Sequence, residues 1–122
     1  MERKIVYLVN PISGTSRKDG IKKLIEKEST DRAIPFEIMH TNAGGHYQLL
    51  REKIRAEHVT DVVIIGGDGT VNQVTQALHG LPVRFGIIPL GSGNGLALAA
   101  RIPTKPELAL SLIFEGKSRP ID

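Results

Sequence analysis

Cysteine and tryptophan are absent from this 122-residue sequence, and its only aromatic residues are two tyrosines and three phenylalanines. A chain without cysteine can form neither disulfide bonds nor thiolate metal sites, which is compatible with a reducing cytoplasm. So few aromatic rings argue against a nucleic-acid surface built on base stacking. The formal net charge of +3 is also too small to imply a nucleic-acid partner. We therefore expect no nucleic acid among the partners.

Long hydrophobic runs are absent as well. No apolar stretch approaches the ~20 residues that a membrane-spanning helix requires. The strand-like residues 5–9 also follow Met1 too closely for a signal peptide. We expect a cytoplasmic protein whose contact with the inner membrane surface, if it has any, is peripheral. With so few aromatic residues the core must be aliphatic, which favours an α/β fold of aliphatic strands beneath helices.

Several catalytic signatures are missing. The sequence contains no GxxxxGK[ST] motif, which excludes a P-loop nucleotide hydrolase. Residues 91–95 are rich in glycine but do not complete the dinucleotide-binding GxGxxG, because residue 96 is leucine. There is no GxSxG nucleophile elbow, and the four histidines are not spaced as ligands of one metal ion.

The most informative feature that is present lies at residues 62–78. Four consecutive β-branched residues, 62–65, predict a strand buried on both faces. The glycines that follow allow unusual backbone conformations and close approach of a ligand. Apolar residues at 71, 74, 77 and 78 then predict a helix, whose first N–H groups would bind an anion, most often a phosphate. A carboxylate at Asp68 fits such a site only beside a cation such as Mg²⁺ or a substrate hydroxyl. The alternative is a tight turn in which Asp68 is the helix N-cap.

Strand and helix patterns alternate along the whole chain. We predict strands over residues 4–9, 35–39, 62–65 and 83–88, and helices over residues 19–29, 46–57, 70–78, 96–100 and 107–115. In the second helix, Leu49, Leu50 and Ile54 are predicted to share the buried face. This alternation predicts one α/β domain with three αβα layers and a mostly parallel sheet.

Polar or glycine-rich loops follow all four predicted strands, at residues 10–14, 41–45, 66–70 and 91–95. The carboxyl ends of parallel strands lie at one edge of a sheet, which is where open α/β sheets bind their ligands. We therefore expect the four loops to meet at one cleft, which favours a nucleotide site over a plain turn.

Three motifs resemble those of a known family. Asn-Pro-x-Ser-Gly at residues 10–14, Gly-Gly-Asp-Gly-Thr-Val-Asn at 66–72 and Pro-Leu-Gly-Ser-Gly-Asn at 89–94 occur in this order. They are similar to the motifs of the catalytic domain of diacylglycerol kinases, sphingosine kinases and related bacterial lipid kinases. The resemblance covers nearly the whole chain and implies the NAD kinase or diacylglycerol kinase-like fold.

The resemblance implies an ATP-dependent transfer of the γ-phosphoryl group to a lipid hydroxyl, with Mg²⁺ as the metal. Asp68 would face Mg²⁺ through water beside the transferred phosphate, a role in keeping with catalysis by positioning and charge neutralisation. The residues implied in nucleotide binding are Asn10, Pro11, Ser13, Gly14, Thr41, Gly66, Gly67, Asp68, Gly69, Thr70, Asn72, Gly91, Ser92, Gly93 and Asn94.

The sequence departs from the family pattern at three places. Gly95 replaces an aspartate of many bacterial diacylglycerol kinases, which favours a sphingosine or ceramide kinase slightly. Thr15 and Ser16 stand where members often carry a basic residue. Members also continue as a β-sandwich domain that resembles a lid for lipid and carries the carboxylate proposed as general base. We expect residues 1–122 to form one domain that lacks this β-sandwich. The lipid would then be bound only through the missing domain, and residues 1–122 would be inactive alone. We also expect them to self-associate, with a homodimer as one form.

Two other classes of function remain open at this stage. The Gly-Gly-Asp-Gly turn also occurs in NAD kinases and phosphofructokinases, so a kinase of the same fold acting on NAD or a sugar is an alternative. A binding module without catalysis is the other, although an intact Gly-Gly-Asp-Gly-Thr argues against it.

Overall fold

Strands and helices alternate in the computed structural model, which describes residues 3–10, 15–41, 46–89 and 106–115. The strands are β1 (Ile5–Val9), β2 (Phe36–His40), β3 (Asp61–Gly66) and β4 (Arg84–Pro89). The helices are α1 (Thr15–Asp31), α2 (Gln48–Glu57), α3 (Asp68–Ala77) and α4 (Pro106–Phe114). Among these described helices, none is both long enough and apolar enough to cross a membrane.

The four strands form one parallel sheet in the order β2-β1-β3-β4. β1 and β3 are buried along their full lengths because they occupy the centre of the sheet. The chain moves from β1 outward to β2 and then crosses to β3 on the other side of β1. The gap between the carboxyl ends of β1 and β3 is therefore the topological switch point, the usual ligand crevice of open α/β sheets.

Helices cover both faces of the sheet, so the predicted three-layer α/β fold is confirmed. On one face, Leu50 and Ile54 of α2, Val71 and Val74 of α3, and Leu78 just after α3 pack against strand residues. On the other face, α1 and α4 contribute residues such as Ile25 and Leu110. Alternate residues of each strand enter the two cores, as expected for a sheet buried on both sides.

Glycine in the middle of β4 is explained by the packing of α4. A Cβ atom at Gly86 would lie 2.9 Å from Cγ1 of Ile113, closer than such atoms approach each other in proteins. The bare backbone lets α4 lie directly on the sheet, and Ile113 is buried there. The glycine that interrupts the predicted strand pattern is thus a close-contact position.

Most predicted elements agree with the structure to within two residues, with two corrections. Helix α1 begins at Thr15, four residues before the predicted start, because its apolar spacing begins only at Ile21 and cannot reveal a polar first turn. The placement of Leu49 on the buried face was wrong, since its side chain is 79% exposed. Tyr47 occupies the buried position that was predicted for Leu49, and it packs with Leu50 and Ile54. The helix predicted at residues 96–100 lies outside the described residues.

The amino ends of β1 and β3 are joined by a dense polar network. The carboxylate of Asp61 is buried and pairs with the guanidinium of Arg3 at 2.9 Å. Arg3 also donates to the carbonyl oxygens of Ile113 and Phe114 at the end of α4, at 2.9 and 3.0 Å. The hydroxyl of Thr60 donates to Asp61 at 2.6 Å. This network closes the edge of the sheet opposite the switch point.

Candidate functional site

The chain segments that leave β1, β2 and β3 lie side by side at the carboxyl edge of the sheet. The backbone N–H of Asn10 donates to the carbonyl of Ile65 at 3.3 Å, and the N–H of Thr41 donates to Val9 at 3.0 Å. These contacts place Asn10, Thr41 and Gly66 at one edge of the sheet, as predicted, while the meeting of the loops at one cleft stays a prediction. The remaining predicted loop residues Pro11, Ser13, Gly14, Gly91, Ser92, Gly93 and Asn94 lie outside the described part of the chain.

Helix α3 starts with almost no connection after β3. Gly66 still pairs with Pro89 in the sheet, and Gly67 alone joins the strand to the helix. Gly67 is the N-cap with extended backbone, and its carbonyl accepts the first helical hydrogen bond from Val71 at 3.1 Å. The N–H groups before Val71 have no partner within the helix, so they are available to an anion at the positive end of the helix dipole.

The alternative in which Asp68 caps the helix is wrong. The cap position belongs to Gly67, and Asp68 is the first residue of α3. The strand continues one residue further than its apolar run indicates, which moves the cap away from the aspartate. Only the backbone of Asp68 is described, so its predicted role at Mg²⁺ stays a prediction.

Two glycines keep the start of α3 open. A Cβ atom built at Gly67 or at Gly69 would meet no atom within 4 Å, so space lies beside both residues. Gly66 differs, because a Cβ atom there would lie 3.3 Å from Cβ of Thr70. The first turn of α3 therefore packs closely over Gly66 at the end of β3, and space for a ligand remains beside Gly67 and Gly69.

One side-chain hydrogen bond crosses the switch point. The amide nitrogen Nδ2 of Asn10 donates to the hydroxyl Oγ1 of Thr70 at 3.4 Å, and both groups are partly buried. Asn72, also predicted to bind the nucleotide, lies further along α3 with an exposed side chain. Its carbonyl accepts a hydrogen bond from Thr75 at 3.2 Å.

Sequence patterns did not reveal the residues that join α2 to α3. The hydroxyl of Tyr47 donates to Oε1 of Gln73 at 3.5 Å. Arg51 donates to the carbonyl of Ala77 at 2.9 Å near the end of α3. The only available signal was the spacing of Tyr47 with Leu50 and Ile54, which places all three on one helix face.

A lysine and a histidine lie close together at the end of β2. Nζ of Lys22 on α1 lies 3.4 Å from Nε2 of His40 at the end of β2, one strand away from Asn10. Among the described side chains, no three His, Cys, Asp or Glu residues are grouped closely enough to hold a metal ion.

A separate cavity of about 250 Å³ lies between α1 and α4. Leu24, Leu108 and Phe114 supply apolar walls. The guanidinium of Arg32 lies 4.4 Å from the centre of the Phe114 ring and pairs with Glu28 at 2.6 Å. None of its lining residues belongs to the strand-end loops, so this cavity is not part of the candidate site.

Comparison with known proteins agrees with this geometry. Residues 4–122 match the family model described as "Diacylglycerol kinase catalytic domain". A protein of Cronobacter sakazakii named "Probable lipid kinase YegS-like" is 33% identical over 115 residues, which cover 91% of this chain and 38% of that protein. A protein of the same name from Serratia proteamaculans is 46% identical over 68 residues, covering 52% of this chain and 22% of the other.

A solved structure of a diacylglycerol kinase from Bacillus anthracis is similar in fold, with a TM-score of 0.74 and 26% identity. The superposition covers 93% of this chain and 40% of that one. The chain thus spans about two-fifths of the length of these relatives, which contain a long further segment that this match does not cover.

Proposed function

Because the chain belongs to the diacylglycerol kinase catalytic domain family, we propose that it is the nucleotide-binding part of an ATP-dependent lipid kinase. The reaction would transfer the γ-phosphoryl group of ATP to a hydroxyl of diacylglycerol or of a sphingoid base. One observation carries the proposal above all others. The strand β3, the glycines Gly66 and Gly67 and the start of α3 form a strand–glycine–helix turn at the switch point of the sheet, a geometry suited to binding an anion.

The described residues fit the phosphate groups of a nucleotide. The first turn of α3 offers N–H donors, and the open space beside Gly67 and Gly69 allows phosphate oxygens to approach the backbone. Thr41 follows the neighbouring strand β2 at the same edge, and its backbone N–H donates to Val9 at the end of β1. Such fixed donors act in phosphoryl transfer by positioning the phosphates and neutralising their charge.

Magnesium fits this site only together with the nucleotide. Asp68 is the acidic residue of the turn, and metal ions in kinases are held largely by phosphate oxygens. When bound, Mg²⁺ would neutralise charge that develops on the phosphates. The contribution of this chain is to hold the phosphates at α3 and to place the Asp68 backbone at the positive end of that helix.

The lipid and the general base are proposed to belong to the rest of the kinase. The relatives contain more than twice the length of this chain, and the anion-binding turn accounts only for the nucleotide. We place the acceptor lipid on that further segment, with peripheral contact at a membrane surface and a location in the cytoplasm.

The test is phosphorylation of a panel of acceptors by the full-length gene product. Diacylglycerol, sphingosine and ceramide in mixed micelles would be compared with NAD and fructose 6-phosphate, with radiolabelled ATP as phosphoryl donor. We expect transfer to a lipid acceptor. Transfer to NAD or to the sugar alone would contradict the lipid assignment and support the other kinases that share this turn.

Asp68→Asn tests the site within the same assay. We expect a loss of about 100-fold or more in kcat, because a charge beside the metal and phosphate is removed. Stability should fall by less than about 1 kcal/mol, since an aspartate in the first helical turn interacts favourably with the helix dipole but does not cap it here. Asp31→Asn, at an exposed position at the far end of α1, is the matched control and should keep wild-type activity. Activity of Asp68→Asn within a few-fold of wild type would show that the carboxylate is not part of the chemistry.

A further inference from the structure

Asn10 and Thr70 meet although 60 positions separate them in the sequence. Asn10 follows β1 directly, and its backbone N–H continues the β1–β3 hydrogen bonding one residue past the strand by donating to Ile65. Thr70 is the third residue of α3. The hydrogen bond between the two side chains therefore spans the switch point. The backbone of Asn10 is held by the sheet, and the backbone of Thr70 is held by the helix.

The direction of this hydrogen bond determines what Thr70 can offer to a ligand. An amide nitrogen only donates, so Oγ1 of Thr70 is the acceptor. A hydroxyl group has one hydrogen in addition to its acceptor lone pairs. The hydrogen of Thr70 must therefore point away from Asn10, and within the described residues it has no acceptor at hydrogen-bond distance.

A second threonine on the same helix shows the usual arrangement. Thr75 donates its hydroxyl to the carbonyl of Val71, four residues earlier, at 2.8 Å. The side chain of Thr70 lies against the bare Cα of Gly66, where an added Cβ atom would be 3.3–3.4 Å from three atoms of the threonine. Gly66 and Asn10 together restrict the rotamer of Thr70.

We propose that Asn10 is a positioning residue that turns the hydroxyl of Thr70 toward the nucleotide phosphates as a hydrogen-bond donor. The inference rests on the proposed function, because it names the partner that Thr70 would meet in that site. Asn10 acts through Thr70 and not by its own contact with phosphate. At 3.4 Å the bond is long, and it is expected to shorten when phosphate binds, as hydrogen bonds of open sites do.

The experiment is a double-mutant cycle on the full-length gene product. Dissociation constants for Mg²⁺–ATP would be measured by calorimetry for wild type, Asn10→Ala, Thr70→Val and the double variant. Each single substitution should weaken binding about tenfold, the effect of one hydrogen bond to a charged group. The double variant should be no weaker than the weaker single variant, because both changes remove the same donor.

Two further variants separate positioning from folding. Asn10→Asp keeps the size of the side chain but accepts the hydroxyl hydrogen and adds a negative charge, so binding should fall about 100-fold. Thr70→Ser keeps the hydroxyl and should bind within about threefold of wild type. Thr75→Val, the matched control on α3, should leave the dissociation constant within about twofold, since its hydroxyl bonds within the helix.

Binding of a phosphate probe and of a nucleoside probe distinguishes positioning of Thr70 from a merely structural role of Asn10. Tripolyphosphate should lose affinity by the same factor as ATP in Asn10→Ala, while adenosine should bind the variant as it binds wild type. If the losses of affinity in the two single variants multiplied in the double variant, each residue would contact the ligand by itself. That result would overturn this inference but not the proposed function. Unchanged binding in Asn10→Ala would also overturn the inference. Failure of wild type to bind Mg²⁺–ATP at millimolar concentration would overturn the proposed function as well.

Discussion

The two edges of the sheet are built on opposite principles. At the amino edge, a buried carboxylate, a guanidinium, a threonine hydroxyl and two helix-end carbonyls form hydrogen bonds with one another at 2.6 to 3.4 Å. At the carboxyl edge, the hydrogen bonds between Asn10 and its neighbours measure 3.3 and 3.4 Å. The first turn of α3 there begins with a glycine N-cap that has no side chain to occupy the N–H groups.

This difference separates stability from function within one small sheet. Polar groups at the amino edge have partners from the chain itself, so that edge holds β1, β3 and α4 together. The carboxyl edge leaves the start of α3 without a side-chain cap, as the proposed nucleotide site requires. Substitutions at the first edge should therefore change the free energy of unfolding, and substitutions at the second should change binding.

The largest stability effect is expected from Asp61→Ala. The substitution removes a carboxylate that is 3% exposed, pairs with Arg3 and accepts a hydrogen bond from Thr60. Because the Arg3 guanidinium is left without its partner, the fold should be destabilised by about 3 kcal/mol. Urea denaturation followed by circular dichroism measures the change. Folded Asp61→Ala should still bind Mg²⁺–ATP with wild-type affinity.

The control is Asp31→Ala, in an exposed pair with Lys27, which should change stability by less than about 0.5 kcal/mol. Equal losses in both variants would remove the distinction between the edges.

A pair of glycines tests the same contrast at two places in the sheet. Gly86→Ala forces a methyl group against Ile113 and should cost about 2 kcal/mol of stability, with nucleotide affinity unchanged. Gly66→Ala should cost less than about 1 kcal/mol, because its contact with Thr70 is looser. It should nevertheless weaken binding of Mg²⁺–ATP by displacing that side chain. Ile113→Val, which removes one of the crowding methyl groups, should restore part of the stability of Gly86→Ala. Equal losses of stability and of affinity in both glycine variants would contradict this prediction.

The smallest effect is expected from pH at the amino edge. Hydrogen bonds from Lys4 and then Lys53 lower the pKa of Glu57 from 4.5 to about 2. Folding therefore favours the charged carboxylate. The resulting stability is present above about pH 4.5 and is lost as pH falls toward about 2. It is small, since the Glu57 side chain is 39% exposed.

Glu57→Gln is the test of this pH dependence. Its free energy of unfolding should decline less steeply than that of wild type between about pH 4.5 and 2.5, measured by urea denaturation at several pH values. Glu26→Gln, exposed on α1, is the control and should follow the wild-type curve. Parallel curves for Glu57→Gln and wild type would show that the lysine contacts do not persist in solution.

Local patterns predicted the elements but missed two details that depend on neighbours. Val71, Val74 and Leu78 are buried as their spacing predicts, since a helix at a sheet surface must bury one face. Leu49 has the same apolar character, but the buried face of α2 passes through Tyr47, Leu50 and Ile54 instead. A short apolar pattern permits several faces, and the packed neighbour selects one.

The sequence by itself determined the α/β class, the strand–glycine–helix turn after β3 and the resemblance to the family, because each can be recognised from short local patterns of residues. Only the tertiary structure decided the strand order, and with it the switch point between β1 and β3. The bond from Asn10 to Thr70 and the pair of Arg3 with Asp61 join residues 60 and 58 positions apart. Contacts of this kind exist only once the strands have paired, because pairing sets the register and brings distant side chains within hydrogen-bond reach. For the same reason, Gly86 is recognised as a contact position only when α4 lies on it.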